Sequence, residues 1–166
     1  VAARFAEVIF SANLTIDSLS DQDNTGVSQN ADCLNNHFLV GEEPINWAYI
    51  TKSGKSLAPA NPLSLSDGDG TGLSVDPSKV LLFNPGDTLR VHMHDTPAGY
   101  RIDITDLTTG QSGSMTASKA NGFGQILFQP KAKHCHVRPY AFHPMYNSAV
   151  KRGSLWGAHT TNVGAS

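Results

Sequence analysis

The sequence predicts an all-β protein, specifically an antiparallel β-sandwich or jelly roll. Short segments such as residues 100–106 alternate apolar and polar side chains with the period of a strand. Glycine, proline and asparagine separate these segments, and almost none of the chain has the spacing of an amphipathic helix. Charged residues make up 16% of the chain, against roughly 25% in an average soluble protein. This composition is typical of loop-rich secreted β proteins.

The first predicted strands lie at residues 5–16 and 45–51, where β-branched and aromatic residues are concentrated. The next two lie at residues 79–84 and 88–94. The turn sequence Pro85-Gly86-Asp87 separates them, because proline fixes φ and glycine accepts a positive φ.

The second half of the chain predicts a meander. Residues 100–106 and 112–118 are joined by a loop that has glycine for a left-handed position. Asn121-Gly122 then marks a turn before a strand at residues 123–128. The one helical expectation is a single turn near residues 30–36.

We expect one domain spanning residues 1–166, which is long enough for a hydrophobic core. Residues 56–78 are rich in Ser, Pro, Gly and Asp, but their aliphatic side chains predict an ordered loop and not a linker. Because the first residue is Val1 and not methionine, we expect a processed protein or a piece of a longer one.

Composition and cysteines predict an extracellular location. Cys33 and Cys135 lie roughly a hundred residues apart, and a disulfide between them is worth roughly 4–5 kcal/mol in the chain-entropy model. Two buried thiols are the alternative. Asn13-Leu14-Thr15 is an N-glycosylation pattern.

The net charge of −2 and the lack of a basic cluster argue against nucleic-acid binding. No apolar run is long enough to span a membrane.

Histidines form the first candidate site. His92 and His94 share one face of their predicted strand, opposite an aliphatic row, so both can bind one metal ion. Asp95 follows as a ligand or as an acceptor that orients one, and His143 or His159 completes a three-ligand site. Such a set suits zinc or copper, with bound water or dioxygen as the reactive species. The alternative is that these are ordinary polar residues on a solvent-exposed face.

Two acidic loops make calcium a second candidate cofactor. Residues 21–26 and 67–72 both read D-x-D-x-T-G, with oxygen ligands at loop positions 1, 3 and 5 and glycine at 6. Asp67, Asp69 and Thr71 are the stronger set. Neither loop has glutamate at position 12, and ordinary Asx turns explain both patterns equally well.

Aromatic residues beside histidines at 140–146 and 156–162 suit a groove that binds polysaccharide, because aromatic rings stack on sugar C–H faces. A packed core explains them equally well. The sequence has no serine-nucleophile elbow and no phosphate-binding glycine loop.

The same segments carry a resemblance. His94-Asp95-Thr96, residues 103–117, Phe142-His143-Pro144-Met145-Tyr146 and Trp156-Gly157-Ala158-His159-Thr160-Thr161-Asn162 resemble stretches of secreted β-sandwich proteins from bacteria and fungi. The resemblance covers roughly the last eighty residues and, more weakly, residues 46–62. It implies a secreted β-sandwich and favours His94, His143 and His159 over the other histidines, but it implies no reaction.

Three functions fit these observations. The first is a secreted metal-dependent enzyme acting on extracellular polysaccharide, with His94, His143 and His159 holding the metal and Asp95 orienting a ligand. The second is a non-catalytic carbohydrate-binding or adhesion module shaped by calcium. The third is a structural shell or appendage subunit. A bound transition metal favours the first, calcium alone the second, and no metal the third.

Overall fold

The computed structural model describes residues 10–17, 45–57, 60–61, 76–127 and 129–143. Within these ranges the chain is rich in strands, and the only helical element is one 3₁₀ turn. All strand pairs are antiparallel, which confirms the predicted all-β, antiparallel character. The strands form small sheets of two or three strands each. Their closure into a sandwich or jelly roll stays a prediction.

In chain order the strands of the described residues are β1 (Phe10–Ser11), β2 (Asn13–Asp17), β3 (Ile45–Tyr49), β4 (Leu82–Phe83), β5 (Leu89–Thr96), β6 (Gly99–Asp106), β7 (Ser112–Thr116), β8 (Gly124–Ile126) and β9 (Val137–Pro139), with the 3₁₀ turn at Lys119–Asn121 between β7 and β8. The strands pair as β1 with β4, β2 with β3, and β8 with β9, while β5, β6 and β7 form a three-stranded meander.

A two-residue loop, Pro97-Ala98, joins β5 to β6 and determines their register. Glycine is required directly after it, because Gly99 has φ of +139° and a Cβ there would lie 2.4 Å from the carbonyl oxygen of Ala117. Pairing from this loop backwards places His92 opposite Asp103. The candidate site described below depends on that pairing.

The loop between β6 and β7 is organised by a buried carboxylate. Asp106 Oδ1 accepts the backbone N–H groups of Thr108 at 2.8 Å and Thr109 at 3.1 Å, and Oδ2 accepts the Thr109 hydroxyl at 2.6 Å. Because these bonds favour the ionised form, the pKa of Asp106 is lowered. Gly110 takes the left-handed conformation with φ of +77°, as its place in the predicted hairpin loop requires.

The main core takes its side chains from β2, β3, the segments that follow β3, and the meander with the residues after it. Thr51 links these parts, because it exchanges backbone hydrogen bonds with Ser114 of β7 at 3.2 and 2.8 Å. The buried apolar side chains of this core are Leu14, Ala48, Ile50, Ala60, Leu81, Ile104, Met115, Ala117 and Phe123.

A buried amide ties β3 to β8. Asn46 is fully buried, its Oδ1 accepts the Gly124 N–H at 2.8 Å and its Nδ2 donates to the Gly124 carbonyl at 2.9 Å. The Asn46 amide thus makes the two hydrogen bonds that the backbone of a neighbouring strand would make to buried Gly124.

The aliphatic row of β5, which consists of Leu89, Val91 and Met93, is more exposed than the buried face of a typical strand. Val91 is 51% exposed and Met93 is 41% exposed. Strand β5 is at one end of the order β5-β6-β7 in the described part of the chain. The strand at the other end, β7, is by contrast mostly buried and includes Met115, which is fully buried.

A smaller core contains Cys135, which is 8% exposed, together with Ile126 and Val137. No free cysteine occurs among the described residues. The predicted partner Cys33 lies outside them, so the disulfide stays a prediction. The helical turn expected near residues 30–36 also lies outside them. No helix in the described ranges is long and apolar enough to cross a membrane.

Candidate metal site

Two histidines and one carboxylate meet on the polar face of the meander. One ligand atom from each of His92, His94 and Asp103 lies within 4.8 Å of the other two. The two histidines are alternate residues of β5 and therefore share a face. Asp103 joins them because it is the residue of β6 paired with His92.

The two imidazole rings are stacked, with centroids 4.3 Å apart and planes inclined by 19°. His94 Nδ1 lies 3.7 Å from Asp103 Oδ2, which is too long for a hydrogen bond. This nitrogen is nevertheless buried and has no hydrogen-bond partner in the described part of the chain. Because buried polar atoms are nearly always partnered, the vacant nitrogen beside a carboxylate oxygen favours a bound cation.

Asp103 is held in place by a neighbour on its own strand. The hydrogen bonds that Arg101 donates are the main cause of a lowered pKa of Asp103, and the positive charge of Arg101 and the nearby histidines adds to it. Asp103 therefore remains an anionic ligand down to acidic pH.

Two imidazoles with one carboxylate are a donor set suited to several transition metals. Catalytic zinc ions commonly take three protein ligands and keep one position open for water, and the same three donors also bind non-haem iron. Because the three donors lie on one sheet face, a metal ion held by them would be accessible from the side away from the sheet.

A shallow polar groove of about 360 Å³ adjoins this site. Its lining includes the metal-ligand candidate Asp103 and two cationic side chains, Arg101 and Lys52. Hydroxyl groups supply much of the remaining surface, from Ser53, Thr105, Ser112 and Ser114. A groove of this kind suits a ligand rich in hydroxyl groups.

The structure places His143 in a different environment. Its Nδ1 lies 2.7 Å from Oδ1 of Asp95, and the His143 and Asp95 side chains are 36% and 17% exposed. Asp95 follows His94 on β5, and successive strand residues project to opposite faces. The Asp95–His143 pair therefore lies across the strand from the group formed by His92, His94 and Asp103.

Four predicted ligands, His159 and the calcium-loop residues Asp67, Asp69 and Thr71, lie outside the described residues, so their relation to this group stays a prediction. His134 and His136 are exposed, and His136 contacts Gln129, with Nδ1 2.7 Å from Oε1.

Asp103 and Arg101 were not predicted as site residues. The alternation of apolar and polar residues at 100–106 places both on the polar face of the strand, but it does not show that this face lies beside His92. The two-residue loop Pro97-Ala98 could have revealed this pairing. His92 lies the same number of residues before the loop as Asp103 lies after it, so the two face each other in an antiparallel pair.

Comparisons of the chain with protein-family models, curated proteins and solved structures found no match. The side-chain geometry is therefore the basis on which a function is assigned.

Proposed function

We propose that this protein binds one divalent transition-metal ion, with zinc the first candidate and copper the second, through His92, His94 and Asp103. The observation that carries the proposal is the buried, unpartnered Nδ1 of His94, 3.7 Å from Asp103 Oδ2. Two ligand atoms on one tetrahedral zinc ion lie about 3.4 Å apart, given metal–ligand distances near 2.0–2.1 Å. A small side-chain movement brings these atoms to that separation.

We further propose that the metal serves a hydrolytic enzyme acting on extracellular polysaccharide. A Lewis-acid metal polarises a carbonyl oxygen and supplies a hydroxide near neutral pH. This chemistry suits an acyl ester or amide substituent, which has a carbonyl, better than a glycosidic acetal, whose cleavage typically uses a carboxylate pair. The groove beside Asp103 supports the substrate class, because its hydroxyl groups and the cations Arg101 and Lys52 complement a sugar chain.

The scaffold and location belong to the same proposal. An antiparallel β-sandwich secreted from the cell is supported by the antiparallel strands, the low fraction of charged residues and the two cysteines. Calcium bound by Asp67, Asp69 and Thr71 remains a second candidate cofactor on sequence grounds. We assign the transition metal to the group with Asp103 and not to His94, His143 and His159, because His143 contacts Asp95 on the other face of β5.

Metal binding is tested first by calorimetric titration of chelator-treated full-length protein with zinc, copper and calcium. We expect one equivalent of zinc or copper to bind, and His94→Ala and Asp103→Asn to weaken binding more than about tenfold, since each removes one of three ligands. His134→Ala is the matched control, because it removes an exposed histidine outside the group. Unchanged affinity in His94→Ala would overturn the assignment.

Catalysis is tested by release of acetate from acetylated xylan by the metal-loaded protein, with the His94→Ala variant as the blank. Metal-dependent acetate release supports the enzyme. A bound transition metal without acetate release from this or other acylated polysaccharides favours a non-catalytic carbohydrate-binding or adhesion module. Calcium binding alone also favours that module, and the absence of any metal favours a structural shell or appendage subunit.

A further inference from the structure

A second cavity, of about 460 Å³, lies beside His143. Among the described residues it shares no lining residue with the groove at the candidate metal site. The described part of its lining has two cationic side chains and no acidic one, and it consists of Lys119, Arg138, Pro139, Tyr140, Ala141 and His143. Its volume is in the range of small-molecule sites, and its charge favours an anionic ligand.

Arg138 is fixed in the wall of this cavity. Its Nε and Nη2 both donate to Gln125 Oε1, at 3.2 and 2.7 Å, and its guanidinium lies 5.5 Å from the centre of the Tyr140 ring. A guanidinium has five N–H donors. In the described part of the chain these contacts use two of them on one edge, so the Nη1–Nη2 edge retains the paired donors that bind a carboxylate in bidentate fashion.

His143 supplies a hydrogen-bond acceptor to the same cavity, whereas Arg138 supplies donors. An ionised carboxylate only accepts hydrogen bonds, so Asp95 takes the N–H of His143 Nδ1 at 2.7 Å. When the ring is neutral, Nε2 therefore has a lone pair that can accept a hydrogen bond from a hydroxyl group. Asp95 also orients the ring, so the acceptor has a defined position at the cavity wall.

We propose that this cavity binds a carboxylate with a neighbouring hydroxyl group, as in the uronic acid residue of an acidic glycan. Arg138 and Lys119 bind the carboxylate, and His143 Nε2 accepts from the hydroxyl. The inference goes beyond the proposed metal chemistry and does not depend on it, because none of these residues belongs to the metal group.

Titration of the full-length protein with trigalacturonic acid tests the site, with the fully methyl-esterified trimer as the matched neutral ligand. We expect the acid to bind and the ester to bind at least about tenfold more weakly, because a charged hydrogen bond is lost. Arg138→Gln is expected to weaken binding of the acid by about tenfold. Arg90→Gln, which removes an exposed arginine outside the cavity, is expected to leave it unchanged.

Three controls make the result decisive. Binding should persist in chelator and in His94→Ala, which separates this site from the metal site. A chemical-shift change at the His143 ring on addition of the acid locates the ligand without any substitution. Equal binding of acid and ester, tighter binding of inorganic phosphate than of the acid, or equal effects of Arg138→Gln and Arg90→Gln would each overturn the proposal.

Discussion

The Arg101 guanidinium donates three hydrogen bonds to the Asp103 carboxylate, with Nη2–Oδ1, Nε–Oδ1 and Nε–Oδ2 distances of 2.7, 2.9 and 3.0 Å. Both residues lie on β6, two positions apart and therefore on one face. Oδ1 receives two of these bonds, whereas Oδ2 receives one and faces His94. Arg101 thus orients Asp103 so that the less occupied oxygen points toward the imidazoles.

Replacing Arg101 with glutamine is expected to raise the pKa of Asp103 toward its ordinary value of 3.8, because hydrogen bonds from Arg101 are the largest cause of its lowering. Titration of the Asp103 carboxyl carbon by ¹³C NMR measures the change. Arg90→Gln removes an arginine from the same polar face without touching Asp103, and its Asp103 titration should match the wild type. Equal effects of the two substitutions would contradict the assigned role of Arg101.

Acid is expected to destabilise the loop between β6 and β7 through Asp106. The pKa of this residue is lowered in the folded protein, so its contribution to stability is complete above the ordinary value of 3.8 and is lost as pH falls through the lower folded value. Melting temperatures recorded from about pH 5 to pH 2 should therefore fall less steeply in Asp106→Asn than in the wild type. Parallel curves for the two proteins would show that Asp106 does not contribute.

His143 should be protonated at Nδ1 when neutral, because Asp95 can only accept. Long-range ¹H–¹⁵N NMR distinguishes the tautomers. His136 is an internal comparison, since its partner Gln129 has an amide that can reverse and does not determine the tautomer. Asp95→Asn should remove the preference at His143 and leave His136 unchanged. An Nε2–H tautomer in the wild type would contradict the expectation.

Asn46→Ala should destabilise the fold by roughly 1–3 kcal/mol, because it removes two buried hydrogen bonds between the Asn46 amide and the backbone of Gly124. Denaturant unfolding measures the loss. Asn84→Ala is the control, since Asn84 is exposed and its amide contacts only the nearby Asp87 at 3.3 Å. A comparable loss in the control would show that Asn46 has no special role.

Gly99 and Gly110 both have positive φ, but of the two only Gly99 has close neighbours, because a Cβ at this position would overlap the carbonyl oxygen of Ala117. Gly110→Ala meets no atom within 4 Å and should cost about 1 kcal/mol of backbone strain. Gly99→Ala adds a steric overlap and should cost more than about 3 kcal/mol. Equal unfolding free energies for the two variants would contradict the close approach of β6 to the segment after β7.

Local patterns predicted the hairpins and the shared face of the two histidines. Alternation in residues 88–94 placed His92 and His94 together, and their rings are stacked in the structure. The turn at Pro85-Gly86-Asp87 also follows from local chemistry, since Gly86 has φ of +94°. These features depend on residues a few positions apart.

Features that depend on register and neighbours were not predicted. Asp103 joins the histidines only through the pairing of β5 with β6, and alternation alone gives a face but not an opposite residue. Alternation likewise does not show which face is covered by the rest of the protein, and Val91 and Met93 on the apolar face of β5 are exposed.

The division of the three proposed metal ligands between two strands has a dynamic consequence. His92 and His94 belong to β5, at the edge of the meander, whereas Asp103 belongs to β6. A coordinated ion therefore cross-links an edge strand to its neighbour, and β5 cannot separate from β6 without releasing the ion. Edge strands open locally more readily than the core does. Amide hydrogen exchange of β5 should slow on metal loading, so the exchange rate of one strand reports the occupancy of the site.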